Sequence, residues 1–131
     1  MPPVDTKKPR VMIADDEFHT RVFLKAILQG MNCEVVAEAS NGAEVLEIYR
    51  NTRPHLLLLD VSMPFKTGDE VLQEVMSEFP KAFVIMLTSV ADVETIEKCL
   101  QIGASNYIRK DTSVDEIRAI IKESWQLRRS Q

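Results

Sequence analysis

The sequence has little of what marks several common protein classes. Aromatic residues make up only 6%, and the two cysteines, Cys33 and Cys99, lack CxxC spacing. We therefore expect ordinary thiols in a reducing compartment. Neither His19 nor His55 has a further ligand at metal-binding spacing, which argues against zinc. The sequence contains no run of 18 apolar residues and no secretory signal, so we expect a soluble cytoplasmic protein without a membrane span.

An excess of basic charge is also absent. The net charge is −4 at pH 7 and the isoelectric point is about 5.2. The pair Arg128-Arg129 is too short to form a basic patch, so we expect no nucleic-acid partner. A chain of 131 residues with 45% apolar residues suits one domain with one core of aliphatic side chains.

Apolar strand patterns and amphipathic helix patterns alternate five times along the chain, which predicts an α/β fold. The predicted strands are 10–14, 33–38, 55–60, 82–88 and 105–109. The predicted helices are 17–29, 42–52, 68–79, 92–102 and 113–128. Connections of this kind place a parallel sheet between helices on both faces. Residues 1–9 contain three prolines and are predicted to form a flexible tail, followed by a domain over 10–128 and a short tail over 129–131.

Residues that commonly end helices stand at the predicted boundaries. Gly30 and Gly103 follow the first and fourth helices, where a left-handed residue favours glycine. Residues of the types that cap helix amino termini are Asn41, Asp92, and the pairs Thr67 with Glu70 and Ser113 with Glu116. The apolar stripe of the last helix, predicted to lie on the sheet, consists of Val114, Ile117, Ile121 and Trp125.

Polar residues close four of the predicted strands. Asp15 and Asp16 follow the first strand, Asp60 ends the third, Thr88 ends the fourth and Lys110 follows the fifth. The carboxyl ends of parallel strands meet at one edge of the sheet, where α/β proteins bind ligands. The sequence therefore predicts that these five side chains converge there.

This set of residues suits phosphoryl chemistry on a carboxylate. Three neighbouring carboxylates repel one another and attract a cation, and Mg²⁺ prefers oxygen ligands. Asp60 is the predicted nucleophile, with Asp15 and Asp16 as metal holders. Lys110 and Thr88 would bind the oxygens of a transferred phosphoryl group.

Each of these residues has an ordinary structural explanation when taken alone. An aspartate pair that opens a helix complements the helix dipole, and Asp60 fits a turn. Thr88 fits a strand end and Lys110 a solvated surface. Those explanations do not account for all of them ending strands of the same sheet, and we therefore favour a shared site.

The motifs resemble the receiver domain of two-component response regulators over nearly the whole chain, from about Arg10 to Arg128. The segments that carry the resemblance are Ile13-Ala14-Asp15-Asp16-Glu17, Leu58-Leu59-Asp60-Val61-Ser62-Met63-Pro64 with Gly68, Thr88, Tyr107 and Lys110. The resemblance implies a flavodoxin-like sheet with strand order 2-1-3-4-5. It also implies a phosphorylation-dependent signalling switch rather than a turnover enzyme.

The resemblance assigns a role to each site residue. Asp60 would accept a phosphoryl group from a phosphohistidine on a sensor histidine kinase or phosphotransfer protein. Asp16, Asp60 and the Ser62 carbonyl would bind Mg²⁺ directly, and Asp15 partly through water. Thr88 would move toward the phosphoryl group and Tyr107 would turn inward. This would change the surface of the fourth helix, fifth strand and fifth helix, which contacts a downstream protein.

Three departures from the family pattern lead to further expectations. Asp111 replaces the proline that usually follows the lysine, so we expect a trans bond and an altered loop over 110–113. Ser89 replaces a common alanine, a mild change. Ser62 and Val90 occupy positions that influence acyl-phosphate hydrolysis in this family, and neither can steer water strongly. We therefore expect slow self-dephosphorylation.

Several alternatives remain open at this stage. We expect a stand-alone receiver, monomeric or dimerising on phosphorylation, but a receiver module cut from a larger regulator or hybrid kinase fits as well. A Mg²⁺-dependent aspartyl phosphatase would place an aspartate at position 62, where Ser62 stands, and a flavin-binding protein would replace Asp-Asp-Glu with a Ser/Thr/Gly loop. Candidate signalling residues are Glu94, Glu97, Lys98, Tyr107, Arg109 and Arg118, although charge on such a helix face more often serves solvation.

Overall fold

A computed structural model describes residues 8–89 and 93–130, which alternate between strands and helices as the sequence predicts. The strands are β1 (Arg10–Ala14), β2 (Glu34–Ala39), β3 (Leu56–Asp60), β4 (Val84–Thr88) and β5 (Asn106–Arg109). The helices are α1 (Phe18–Gly30), α2 (Val45–Thr52), α3 (Gly68–Glu78), α4 (Val93–Ile102) and α5 (Val114–Arg129), with a 3₁₀ turn at Gly42–Glu44. The predicted cap Asp92 and the predicted hydrolysis residue Val90 lie outside the described residues.

The five strands form one parallel sheet in the order β2-β1-β3-β4-β5, which confirms the order that the resemblance implies. Backbone pairing joins Ala14 to Leu59 and Asp60 to Leu87. The carboxyl ends of β1 and β3 therefore lie side by side at the middle of the sheet. This arrangement brings the residues that follow these two strands to one place.

Helices cover both faces of the sheet because the central strands are apolar on both sides. Val11, Ile13, Leu56 and Leu58 pack in a core with α1 and α5. The alternate residues of the same strands, with Met12 among them, pack in a second core with α2, α3 and α4. Side chains alternate across a strand, so a continuous apolar run fills both cores. The predicted stripe of α5 lies in the first core, with Ile117 and Ile121 buried and its other members partly buried.

Several predicted boundaries are wrong by one or two residues. β2 begins and ends one residue later than predicted, β4 begins at Val84 rather than at 82, and α5 ends at Arg129, inside the predicted tail. Gly30 is the last residue of α1, and the positive φ of 63° falls on Asn32, so the prediction of a left-handed Gly30 is wrong. Gly103 has a φ of 141°, as expected for the residue after α4.

The predicted amino-terminal caps are largely confirmed. Asn41 Oδ1 accepts hydrogen bonds from two backbone N–H groups of the 3₁₀ turn, which replaces the first turn of the predicted second helix. Thr67 and Glu70 form the predicted capping box of α3. The Ser113 hydroxyl oxygen accepts from the Glu116 N–H at the start of α5. Within residues 8–89 and 93–130, no helix combines the length and apolar character that crossing a bilayer requires.

Candidate functional site

Three carboxylates meet at the carboxyl ends of β1 and β3. Asp15 and Asp60 are buried, with exposed fractions of 0% and 2%, whereas Asp16 is exposed. Each offers one oxygen that lies within 4.8 Å of the corresponding oxygens of the other two. The predicted convergence of the acidic residues is therefore found.

Lys110 brings its ammonium group into this cluster from the end of β5. Its Nζ lies 3.1 Å from Asp60 Oδ2, 3.0 Å from Asp15 Oδ2 and 3.1 Å from Glu17 Oε1. The backbone N–H of Lys110 donates to the Thr88 carbonyl at 2.8 Å, which ties the residue to the end of β4. The side chain is mostly buried, so the positive charge is directed at the carboxylates rather than at bulk solvent.

The chain turns tightly after both acidic strand ends. Asp15 Oδ1 accepts from the Glu17 N–H at 2.8 Å, and Asp60 Oδ1 accepts from the Ser62 N–H at 3.1 Å. In each case the aspartate side chain binds the backbone two residues later, a turn that aspartate favours. Each carboxylate thus has one oxygen fixed by the backbone, and the other, Oδ2, faces Lys110.

Burial controls the ionisation of this cluster. Loss of solvation, reinforced by the negative charge of Asp15, raises the pKa of Asp60 to about 7, and Lys110 only partly opposes this shift. Burial likewise raises the pKa of Asp15. Burial alone would lower the pKa of Lys110, but its contacts with Asp15 and Asp60 outweigh burial and raise it. The hydrogen bond from Lys110 lowers the pKa of Glu17.

The donor set fits Mg²⁺. Asp15 Oδ2 is fully buried, and although Lys110 Nζ is near, the angles give this oxygen no hydrogen bond within the described part of the chain. A buried carboxylate oxygen without a directed donor is costly unless a cation binds it. Oxygens of Asp15, Asp16 and Asp60 would supply the hard ligands that Mg²⁺ prefers.

The two predicted switch residues lie on the strands beside the acidic site. Thr88 is the last residue of β4, is buried, and donates its hydroxyl hydrogen to the Ser89 carbonyl at 2.9 Å. Tyr107 lies on β5, and its side chain is 41% exposed. In this structure the hydroxyl of Thr88 is therefore bound to its own loop, and the ring of Tyr107 faces outward.

The loop between β3 and α3 passes very close to the acidic site. A Cβ added to Gly68 would lie 2.2 Å from the Asp60 carbonyl oxygen, and the Gly68 N–H donates to the Val61 carbonyl at 2.7 Å. Only glycine permits this approach, because any side chain would collide with the backbone of Asp60 itself. Gly68 therefore fixes the position of the segment that carries Asp60.

The loop after Lys110 has the predicted trans geometry. No peptide bond within residues 8–89 and 93–130 is cis, so the bond between Lys110 and Asp111 is trans. Asp111 pairs with Arg109, two residues earlier, at 2.8 Å. The Thr112 N–H donates to the Arg109 carbonyl at 3.0 Å and closes a turn.

The candidate signalling residues are mostly exposed and partly paired. Lys98 binds Asp69 on α3, and Arg109 and Arg118 pair with acidic residues near them in sequence. Glu94 and Glu97 are exposed on α4. These exposed pairs contribute little to stability.

Two residues that contact the site, Glu17 and Arg21, were not predicted to do so from the sequence. Glu17 binds Lys110, and Arg21 donates from Nη1 to the Asp15 carbonyl at 2.8 Å while its Nε binds Glu38. Glu17 was visible as the third acid of Asp-Asp-Glu. No sequence pattern marks Arg21 as a site residue, because a single arginine on a helix is most often solvated.

Comparisons with known proteins agree with this geometry. The profile of the family described as the response regulator receiver domain matches residues 11–122. A crystal structure of a CheY-like receiver domain protein from Methanospirillum hungatei JF-1 superposes with a TM-score of 0.86 at 27% identity, covering 95% of this chain and 98% of that one. A parallel sheet with an acidic pocket and a lysine at its carboxyl edge thus defines a receiver-type signalling domain.

The chain belongs to the response regulator receiver family. It is 30% identical over 115 residues to the chemotaxis protein CheY of Listeria monocytogenes, covering 88% of this chain and 97% of that protein. It is 37% identical over 109 residues to the uncharacterised transcriptional regulatory protein YhcZ of Bacillus subtilis. That match covers 82% of this chain and only 51% of YhcZ, so the chain spans about half the length of that relative.

Proposed function

We propose that this domain is a switch in which Asp60 accepts a phosphoryl group from a phosphohistidine of a sensor kinase or phosphotransfer protein. The contact between Lys110 Nζ and Asp60 Oδ2, at 3.1 Å, carries the proposal. An ammonium group fixed beside one buried carboxylate oxygen supports a role in holding phosphoryl oxygens there.

In the transfer step, an oxygen of the ionised Asp60 forms a bond to phosphorus as the bond between phosphorus and the imidazole nitrogen breaks. The nitrogen leaves with the electron pair. Asp15, Asp16, Asp60 and the Ser62 carbonyl would hold Mg²⁺, which supplies positive charge against the phosphoryl oxygens. Lys110 binds a second phosphoryl oxygen, and the Thr88 hydroxyl, released from the Ser89 carbonyl, binds a third.

The same movement links the site to the protein surface. If the Thr88 hydroxyl leaves the Ser89 carbonyl for the phosphoryl group, the position beside it opens to the ring of Tyr107. Tyr107 is 41% exposed here, which supports an inward turn on phosphorylation. The proposed output is a changed α4-β5-α5 surface that binds a protein partner.

Phosphate incorporation tests this function directly. Purified protein is incubated with a small acyl-phosphate donor and Mg²⁺, and the mass increase is measured for the native chain, Asp60→Asn and the exposed-site control Asp111→Asn. We expect incorporation in the native chain and control and none in Asp60→Asn. Incorporation that persists in Asp60→Asn would contradict the assignment of Asp60.

The lifetime of the phosphorylated form is a separate element of the proposal. Ser62 is exposed beside Asp60 and offers a hydroxyl rather than a carboxylate or amide to position an attacking water. We expect slow self-dephosphorylation, with loss that accelerates in Ser62→Asn. Equal loss in the two proteins would show that position 62 does not control this rate.

A further inference from the structure

A cavity of about 760 Å³ lies at the edge of the sheet opposite the acidic site. It is formed by the segments that precede β3 and β4 and by the end of α5, at Trp125 and Arg128. Its volume is in the range of small-molecule binding sites. The proposed phosphorylation at Asp60 uses no residue of this cavity.

Aromatic rings form the walls. Tyr49 and Phe79 lie with ring centroids 4.9 Å apart, and Phe83 and Trp125 meet edge to face at 5.4 Å. Tyr49 and Phe83 are buried, whereas Phe79 and Trp125 are only partly buried, so the rings of Phe79 and Trp125 remain accessible to a ligand. A flat apolar ring fits such a lining, because offset and edge-on contacts between rings are favourable.

Two arginines are already fixed on these walls. The Arg53 guanidinium lies 4.5 Å from the Phe79 centroid, and that of Arg128 lies 5.0 Å from the Phe83 centroid. Arg128 also donates to the Lys81 carbonyl. Arg53 has a φ of 46°, a left-handed conformation that is uncommon outside glycine. Arginines held in place before binding lose little side-chain entropy when they contact an anion.

The charge of the lining is positive, although the chain has a net charge of −4. Lys81 and Arg129 add to the two stacked arginines. Glu78 is the one acid among the described lining residues, and its two oxygens accept from Arg50 at 2.6 and 2.8 Å. Since Arg50 binds both oxygens of Glu78 and is not part of the lining, the positive charges that face the cavity exceed the negative ones.

We infer that this cavity binds an anion that carries an aromatic ring, of the nucleotide class. The partly buried rings of Phe79 and Trp125 offer contact surface for a base, and the arginines offer charged N–H donors to phosphate oxygens. An acidic peptide would satisfy the charges, but it would leave the accessible rings of Phe79 and Trp125 without a matching flat group. The combination of stacked rings and fixed guanidinium groups favours a nucleotide.

Fluorescence of Trp125 reports on this site directly, because Trp125 is the one tryptophan of the chain and lines the cavity. The probe is ADP, titrated in metal-free buffer with excitation at the red edge of the indole band. We expect saturable quenching, with inorganic pyrophosphate and adenosine each binding at least about tenfold more weakly. Pyrophosphate binding as tightly as ADP would overturn the requirement for a ring, and absence of saturable quenching would overturn the site.

Substitutions distinguish binding of ADP in the cavity from nonspecific electrostatic attraction to the protein. Arg53→Gln and Arg128→Gln should each weaken ADP binding by roughly tenfold, the value of one charge-assisted contact. If Arg128→Gln unfolds because it loses the contact with Lys81, the exposed Arg129→Gln replaces it as the second lining variant. The matched control is Lys122→Gln on the same helix, outside the lining, which should bind ADP as the native chain does.

Two further arms complete the test. Asp60→Asn should bind ADP as tightly as the native chain does. This result would exclude binding of the ADP phosphates at the acidic site, and the inference is thus independent of the proposed function. A peptide of alternating glutamate and phenylalanine is titrated in parallel. If that peptide binds more tightly than ADP, or if Lys122→Gln weakens ADP as much as Arg53→Gln does, the nucleotide assignment is wrong.

Discussion

Lys110 Nζ lies 3.1 Å from Asp60 Oδ2, although the two residues are 50 positions apart in the sequence. The lysine compensates a carboxylate that is 2% exposed and has a second buried carboxylate, Asp15, beside it. One ammonium group cannot neutralise two acids, so the site keeps net negative charge. Burial, reinforced by this imbalance, raises the pKa of Asp60, and the imbalance makes the site suitable for a cation.

Lys110→Met should destabilise the metal-free protein at pH 7. Removing the ammonium group leaves Asp15 and Asp60 buried without their cation, which should lower the free energy of unfolding by about 1–3 kcal/mol. Urea denaturation measures this. Arg109→Met is the control, because Arg109 is exposed and pairs only with exposed Asp111 in the described contacts. A control loss as large as the Lys110→Met loss would contradict a special role of Lys110.

Asp60→Asn should stabilise the metal-free protein at neutral and alkaline pH. The pKa of about 7 in the folded state lies above the ordinary value of 3.8 for this carboxyl, so the folded state favours the protonated acid. The contribution of Asp60 to the stability of the native chain is therefore fully present below about pH 4, and it is lost as the pH rises through 7 and the acid ionises. The variant should gain roughly 2–4 kcal/mol over the native chain at pH 8, about 1.4 kcal/mol per pKa unit.

Chemical denaturation in chelator at pH 5 and pH 8 gives the comparison for Asp60→Asn. The gain should be larger at pH 8 than at pH 5. Asp115→Asn, with an almost fully exposed side chain, should change stability little at either pH. An equal gain at the two pH values would show that ionisation of Asp60 is not the cause.

Mg²⁺ should stabilise the native chain and not Asp60→Asn. A ligand that binds only the folded state adds free energy that grows with its concentration over Kd, about 1.4 kcal/mol at tenfold excess. Asp16→Asn tests the exposed member of the cluster, because it should reduce the Mg²⁺ effect with little change in metal-free stability. Thermal unfolding with and without Mg²⁺ gives both values, and a Mg²⁺ effect that survives in Asp60→Asn would contradict the site.

Gly68→Ala should destabilise the domain and impair phosphorylation together. Its Cβ would lie 2.2 Å from the Asp60 carbonyl oxygen, so the β3–α3 segment must move. We expect a loss of about 1–3 kcal/mol, as for other overpacked sites. Gly30→Ala is the matched control, because its Cβ would meet the nearest side chain at an ordinary 3.5 Å. Gly68→Ala with native stability would contradict the close approach.

The sequence was sufficient to predict that the three aspartates and Lys110 meet at one site, although not that Glu17 and Arg21 contact it. Each of Asp15, Asp60, Thr88 and Lys110 stands at or just after the end of a strand, and parallel strands align these ends. The continuous apolar runs of the central strands predicted a sheet that is covered by helices on both faces. These features depend on local patterns, which a sequence displays directly.

Details that depend on contacts between distant segments were not predictable. Gly30 was expected to end α1 in a left-handed conformation, but the helix includes Gly30 and the chain turns at Asn32. Glu17 contacts Lys110 only because the loops after β1 and β5 lie at the same edge of the sheet, where the lysine side chain reaches the acidic site. The aromatic and basic cavity at the opposite edge likewise joins residues from three separate segments.

The amino-acid sequence by itself determined the α/β alternation, the burial of both sheet faces and the set of polar residues at the carboxyl edge, because periodicity and strand ends are local properties. Only the tertiary structure decided the electrostatic balance. That balance depends on distances between segments that only packing sets. These distances determine the position of one lysine among three acids, the burial that raises the pKa of Asp60, and the close approach of Gly68 to the backbone of Asp60.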